Sequence, residues 1–206
     1  MTELLVATTN PGKFAEVQAF LAKLPLQITS LKNLTNPPEV VENGRTFEEN
    51  ALKKARTLAE YSGLLTLADD SGLEVDALGG EPGIYSARYA GAEGDDERNN
   101  QKLLGELTGV VEEQRTARFV CALALCAPQS QGMKEWVVRQ TCEGRIAFAP
   151  SGSHGFGYDP LFFYPPFGKT LGEIERDAKA TVSHRGKALM KLAEVLATLL
   201  EVPTKP

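Results

Sequence analysis

Glu3-Leu4-Leu5-Val6-Ala7-Thr8, closed by Asn10-Pro11-Gly12 and followed by Phe14, Val17, Phe20, Leu21 and Leu24, decides the fold class. The apolar run is strand-like, the Asn-Pro-Gly step is a tight turn, and the later spacing is that of an amphipathic helix. A second unit of this kind follows. Thr46-Phe47-Glu48-Glu49 has the spacing of a helix N-terminal capping box, the predicted helix runs to about Ser62, and Gly63 ends it. The run 64–70 (LLTLADD) then reads as a buried strand stopping at Asp69 and Asp70, with Ser71-Gly72 as the turn. Further on, 118–126 and 135–150 are β-rich runs around a Pro-Gln-Ser-Gln-Gly turn, which predicts an antiparallel hairpin. A polar helix is expected over 95–107, the strand LFFY over 161–164, a short helix near Leu171 to Ala178, and a longer helix from Ser183. Strands alternating with helices early and a meander late imply an α/β fold with a mixed sheet flanked by helices, and an active site at strand ends.

Composition narrows the function classes. The 206 residues, 42% hydrophobic and 24% charged, suit one globular domain over 1–206 with one substantial core. No apolar run is long enough to span a bilayer, and the start has no signal-peptide pattern. The formal net charge of −5 opposes binding to nucleic acid or an anionic membrane, so an anionic ligand needs a local cationic site. Cys121, Cys126 and Cys142 form neither a CxxC pair nor a zinc pattern, and an odd count argues against a disulfide framework. A reducing cytoplasm is therefore the expected location.

Five segments carry polar residues that folding alone does not require. Thr8, Thr9, Asn10, Pro11, Gly12 and Lys13 join a strand to a helix, where backbone N–H groups, the helix dipole and an ammonium can hold phosphate. A plain turn is the alternative, and no Walker motif is present. Asp69 and Asp70 offer hard oxygen ligands suited to Mg²⁺ on a triphosphate, one facing the site and the other supporting it. An Asx-type turn facing solvent is the competing reading. Around the second helix, Glu42 is a further carboxylate, Glu49 reads as a cap, and Asn50 with Lys54 can share a face directed at an anion, unless Lys53 and Lys54 are a solvated surface. Phe156 between Gly155 and Gly157 exposes a ring for stacking on a base, with Tyr158 and Asp159 beside it; a β-turn capping the core is the alternative. Lys179, His184 and Arg185 gather cations at a helix start, which suggests an external acceptor rather than solvent. With His154 and His184 the only histidines, neither HExxH nor a Ser-His-Asp triad can be built.

In order, ATTNPGK, TFEENALKKA, LADDSGLEVDALGGEPGIYSARYAG, GFGYDPLFF and SHRGKAL resemble the motifs of the Ham1/RdgB family of inosine/xanthosine triphosphate pyrophosphatases, from Leu4 to about Leu192. The resemblance implies an elongated mixed-sheet fold with two lobes around a central nucleotide-binding cleft, a homodimer, and Mg²⁺-dependent hydrolysis of ITP, dITP and XTP to the monophosphate and pyrophosphate, which clears the nucleotide pool. It further implies that Thr8 to Lys13 and Lys54 bind phosphate, and that Asp70 holds Mg²⁺ and accepts a proton from water, with Ser71 beside it. Phe156 to Asp159 receive the base, while Lys179, His184 and Arg185 contact the substrate. Related sequences often carry two acidic residues before the Gly-x-Thr-Phe segment; here the first is Val41, which leaves Glu42 as the second metal carboxylate.

Donors on Lys179, His184 or Arg185 match the 6-keto oxygen of hypoxanthine and xanthine but not the amino group of adenine, and a polar site of this kind discriminates by about 10⁴. How guanine is rejected is not legible. A nucleotide kinase is disfavoured by the missing Walker patterns, a non-catalytic nucleotide sensor by the carboxylates expected beside the phosphates, and a nucleic-acid module by the charge.

Overall fold

The computed structural model describes residues 2–91 and 94–200. Among the described residues seven strands form a mixed sheet in the order β2-β1-β3-β4-β5-β6-β7, and five α-helices accompany them. β1 (Thr2–Ala7) leads through α1 (Pro11–Leu21) to β2 (Leu26–Ser30), and α2 (Phe47–Ser62) leads to β3 (Leu65–Val75). Both β2 and β3 pair with β1 in parallel, with Leu4 opposite Ile28 on one side and Leu65 on the other. This is the arrangement expected of strands returned by helical crossovers. α3 (Asp96–Glu106) precedes the long strands β4 (Thr116–Gln129) and β5 (Gly132–Ile146), whose two-residue connection makes them a hairpin. β6 (Phe162–Tyr164) and β7 (Lys169–Thr170) continue the sheet antiparallel, and α4 (Arg176–Val182) and α5 (His184–Leu199) close the described chain.

The residues fall into two compact units, each with its own core. The first comprises 1–70, 121–140 and 186–206. In it Leu4, Val6 and Leu67 from the parallel strands pack with Leu123 and Leu125 of β4, Val17 and Leu21 of α1, and Leu189, Leu192 and Leu196 of α5. The second comprises 71–120 and 141–185, and joins Leu73 and Val75 to Phe119, Ile146, Tyr158, Phe162 and Leu171.

Two local expectations are corrected. β3 does not end at Asp69 and Asp70, and Ser71-Gly72 is not a turn: the strand continues to Val75. Its pairing with β1 ends at Ala68, but beyond that point Leu73 N–H donates to Ser86 Oγ at 2.8 Å, Val75 N–H donates to Glu81 O at 3.1 Å, and Leu73 and Val75 find a core, which overrides the turn preference of Asp-Asp-Ser-Gly. The single helix expected near Leu171 to Ala178 is two pieces, a 3-10 turn at Leu171–Glu173 and then α4. They are separated at Ile174, which is extended and buried among Leu171 and Tyr158. At α2 the cap holds: Thr46 Oγ1 accepts from Glu49 N–H, and Glu49 Oε2 reaches back to Arg45 N–H, one residue before the cap itself. Gly63, at φ 69°, ends that helix in the left-handed conformation.

Candidate active site

In the first unit, adjacent residues of β3 take different tasks, as alternation along a strand requires. Asp69 is buried, pairs with the Lys13 ammonium, accepts the Cys121 thiol at 3.3 Å, and receives Lys54 Nζ on its backbone carbonyl at 3.1 Å. Asp70 is also buried, at 7% exposure, and its Oδ2 has no hydrogen-bond partner within the protein. Leaving a carboxylate oxygen in that state is expensive unless something else binds it. Its carboxyl is pushed up to about 6, chiefly by burial; Lys54 and Lys13 pull the other way, the Glu42 charge adds to the rise, and the Asn50 amide lowers it. Glu42 itself pairs with Lys54. Lys13, Lys54, Glu42 and Asp70, which the sequence picked from three separate segments, thus act on one another.

A donor-rich backbone supports Lys13. Asn10 caps α1, its Oδ1 accepting from Lys13 N–H at 3.0 Å, and its own N–H reaches Thr8 Oγ1 at 3.2 Å. Pro11 occupies the first helical turn, where a missing N–H costs nothing, and Gly12 follows it. Thr9 is exposed between strand and helix.

The second unit collects the aromatic and cationic residues. Arg185 is 2% exposed and donates from Nη2 to Ser71 Oγ at 2.8 Å. Its guanidinium lies 5.6 Å from the centroid of the half-buried Phe156 ring, and Lys179 Nζ lies 5.2 Å from it. Both cations therefore face the ring that was expected to stack on a base. Lys179 is buried and paired with Asp159, whose Oδ2 also accepts from Phe156 N–H at 2.8 Å. A Cβ on Gly155 would fall 2.0 Å from that same oxygen, so glycine there makes room for the Asp159 carboxylate. His184 is buried and stacks on Phe119, with ring centroids 4.7 Å apart and planes 12° from parallel. Tyr158 belongs to the core, donating to Ser86 O at 2.8 Å, and burial raises its phenol pKa.

Sequence reasoning did not single out the residues that hold this loop from outside. Gly157 N–H donates to Asp96 Oδ2 at 2.7 Å and Gly157 O accepts from Asn100 Nδ2 at 3.0 Å. Asp96 and Asn100 are four apart on α3 and so share one face, a spacing that the sequence displays without saying what it meets. Nor did it show Phe119 beneath His184, a contact between distant segments.

Whether the residues fit a divalent cation can be asked of Asp70. A buried, unpartnered carboxylate oxygen with a second carboxylate acting on it is the donor chemistry Mg²⁺ takes, since that ion binds through one or two carboxylates and completes its shell with water and phosphate. Among the described residues no three of His, Cys, Asp and Glu form a metal-holding group.

The fold and these residues define a class: a mixed-sheet α/β protein with a lysine–carboxylate cluster on its central strand and a Gly-flanked aromatic beside buried cations. Residues 4–195 match the model of the Ham1 family, and the chain belongs to that family. It is 54% identical over 195 residues to a dITP/XTP pyrophosphatase of an Exiguobacterium species, covering 94% of this chain and 97% of that one. It is 53% identical to the dITP/XTP pyrophosphatase of Geobacter sulfurreducens, covering 95% and 97%. Among solved structures, a HAM1 protein from Coxiella burnetii aligns with a TM-score of 0.87 at 39% identity, over 96% of this chain and all of that one.

Proposed function

We propose that this protein hydrolyses non-standard purine nucleoside triphosphates, dITP, ITP and XTP, to the monophosphate and pyrophosphate with Mg²⁺, removing them from the nucleotide pool. The observation that carries the reading is Asp70: a buried carboxylate whose Oδ2 is left without a protein partner while Lys13, Lys54 and Glu42 act on it. The names of the Exiguobacterium and Geobacter relatives agree with it.

Asp70 and Glu42 are the residues that would hold Mg²⁺. When bound, the ion supplies charge neutralisation on the phosphates and a more acidic water. The rest falls to the chain. Lys13, Lys54 and the N-terminal turn of α1, with Thr8 to Gly12, neutralise and orient the triphosphate. Water attacks the α-phosphorus, the bond to the α–β bridging oxygen breaks, pyrophosphate leaves, and the water proton passes to the Asp70 carboxylate. A carboxyl pushed up to about 6 is a better proton acceptor than an ordinary aspartate. In the second unit Phe156 stacks on the base within the loop Phe156 to Asp159. Lys179, His184 and Arg185 supply donors to the 6-keto oxygen, with Asp159 steadying Lys179 and Ser71 steadying Arg185. An adenine amino group in that place leaves donors facing donors.

Two further parts of the reading concern the cell. The protein works as a homodimer in the cytoplasm. Its three cysteines are free and buried, as suits a reducing compartment, and among the described residues no helix is long and apolar enough to cross a membrane.

The test is release of pyrophosphate with Mg²⁺ from ITP, dITP, XTP, GTP, ATP and dTTP, with Asp70→Asn beside the wild type and light scattering for the oligomer. Rapid release confined to the first three and lost in the variant is expected. Orthophosphate as product, or equal rates on ATP and ITP, would overturn the assignment.

A further inference from the structure

Asn50 lies at the end of the first turn of α2 and is completely buried, at 0% exposure. An asparagine sealed inside a helix costs stability unless both ends of its amide are used. One end is. Oδ1 accepts from the backbone N–H of Gly44 at 2.7 Å, which ties the segment carrying Glu42 to the helix. The approach is close enough to require glycine, since a Cβ on Gly44 would stand 2.7 Å from Asn50 Oδ1 and 2.8 Å from Glu49 Cβ. The other end, Nδ2, is a buried donor with no hydrogen-bond partner in the protein. Asp70 Oδ2 is a buried acceptor in the same position. Lys54, four residues further along the same helix and so on the same face as Asn50, donates to the backbone carbonyl of Asp69 at 3.1 Å and pairs with Glu42. Packing alone does not explain an amide here, because an apolar side chain of similar size would fill the space without stranding a donor.

We propose that Asn50 is a positioning residue of the metal–phosphate site, its Oδ1 anchoring the Glu42 segment to α2 through the Gly44 N–H. Glu42 and Asp70 come from distant parts of the chain, the first on a segment outside any helix or strand and the second on the central strand. Asn50 ties the backbone near Glu42 to α2, the helix whose Lys54 reaches the backbone carbonyl of Asp69 next to Asp70. This rests on the reading of Asp70 and Glu42 as the metal carboxylates. Groups that orient metal-binding carboxylates typically contribute about 10–100-fold to metal affinity or activity.

The experiment is a Mn²⁺ titration of the whole protein without nucleotide, followed by electron paramagnetic resonance, for wild type, Asn50→Ala, Glu42→Gln and the double variant. Asn50→Ala is expected to weaken Mn²⁺ about tenfold in the wild-type background and by less than about twofold once Glu42 is already Gln, because the two act through one arrangement. Unchanged Mn²⁺ affinity in folded Asn50→Ala, or an equal loss in both backgrounds, would overturn the proposal by reducing Asn50 to packing. If Asn50→Ala does not fold, Gly44→Ala severs the same hydrogen bond from the other side and enters the same cycle with the same expectations. Wild-type protein that binds Mn²⁺ yet releases no pyrophosphate from dITP would sink the proposed reaction and leave this cycle readable.

Discussion

The two units treat polar residues in opposite ways. In the first, the Asp70 carboxylate is buried with an oxygen left over and a neighbouring amide left over, while two lysines and Glu42 act on it. In the second, the polar groups around Phe156 are matched to one another: Asp159 with Lys179 and the Phe156 N–H, Arg185 with Ser71, and the Gly157 peptide with Asp96 and Asn100. The first arrangement leaves a buried carboxylate oxygen and a buried amide donor unpaired, and the second presents a ring among paired groups. In the proposed reaction the first serves bond cleavage and the second serves choice of base.

Substitutions in the two clusters should therefore differ in size and kind. The largest effect is expected of Asp70→Asn, which removes the proposed proton acceptor and metal carboxylate. Steady-state turnover of dITP should fall on the order of 10³-fold, with the nucleotide still bound. The same variant sharpens the comparison through stability. Because the folded Asp70 carboxyl stands near 6, above the ordinary value of about 3.9 expected when unfolded, burying its anion opposes folding. Stability present below about pH 4 is lost as pH rises through about 6, so metal-free Asp70→Asn should exceed metal-free wild type at pH 8 by about 1–3 kcal/mol and match it near pH 3. Urea unfolding at the two pH values reads this, and equal stability at pH 8 would mean that Asp70 is already compensated without a ligand.

At the Phe156 loop a smaller and differently shaped loss is expected. Phe156→Ala should remove about 1–3 kcal/mol of stacking, raising KM for dITP roughly 5–150-fold while kcat changes little. A fall in kcat with unchanged KM would instead place Phe156 with the chemistry. Arg185→Met keeps the length of the side chain but removes its donors, and should narrow the preference for ITP over ATP by about tenfold or more, measured as the ratio of kcat/KM. The smallest effect lies away from both clusters. Asp76, held below the usual carboxylate range first by Thr116 and then by Arg118, contributes stability above the unfolded value that disappears as pH falls through its folded one. As an exposed pair screened by solvent, Asp76→Asn should cost no more than about 0.5 kcal/mol at pH 7 and nothing near pH 2.

The ease with which each part could be read from the chain follows the same contrast. α1 and α2 were legible because their signals are local: Pro11 and Asn10 at one start, Thr46 at the other, Gly63 at an end. β3 was misjudged at Ser71-Gly72 because what keeps it extended is not local but the distant Ser86 and Glu81 that bind its backbone and the core around Leu73 and Val75. The 3-10 turn and α4 were merged because Ile174 breaks the helix to reach a core that no nearby residue announces. Of the site, Asp70, Lys13, Lys54 and the Phe156 loop stood out as polar or aromatic groups in turn-like sequence. Asn50 was read only as sharing a face with Lys54, since neither its complete burial nor its bond to the Gly44 N–H is visible in a polar residue on an amphipathic helix. The service of Gly155 to Asp159 was equally hidden, because a glycine in a Gly-rich loop has many possible reasons and only the close approach selects one.

The central claim is that water attacks the α-phosphorus and pyrophosphate leaves whole. Turnover of dITP with Mg²⁺ in ¹⁸O-enriched water, followed by phosphorus NMR, tests it directly. The account predicts label in the nucleoside monophosphate and unlabelled pyrophosphate, at a rate that collapses in Asp70→Asn. Label in orthophosphate or in pyrophosphate would contradict it.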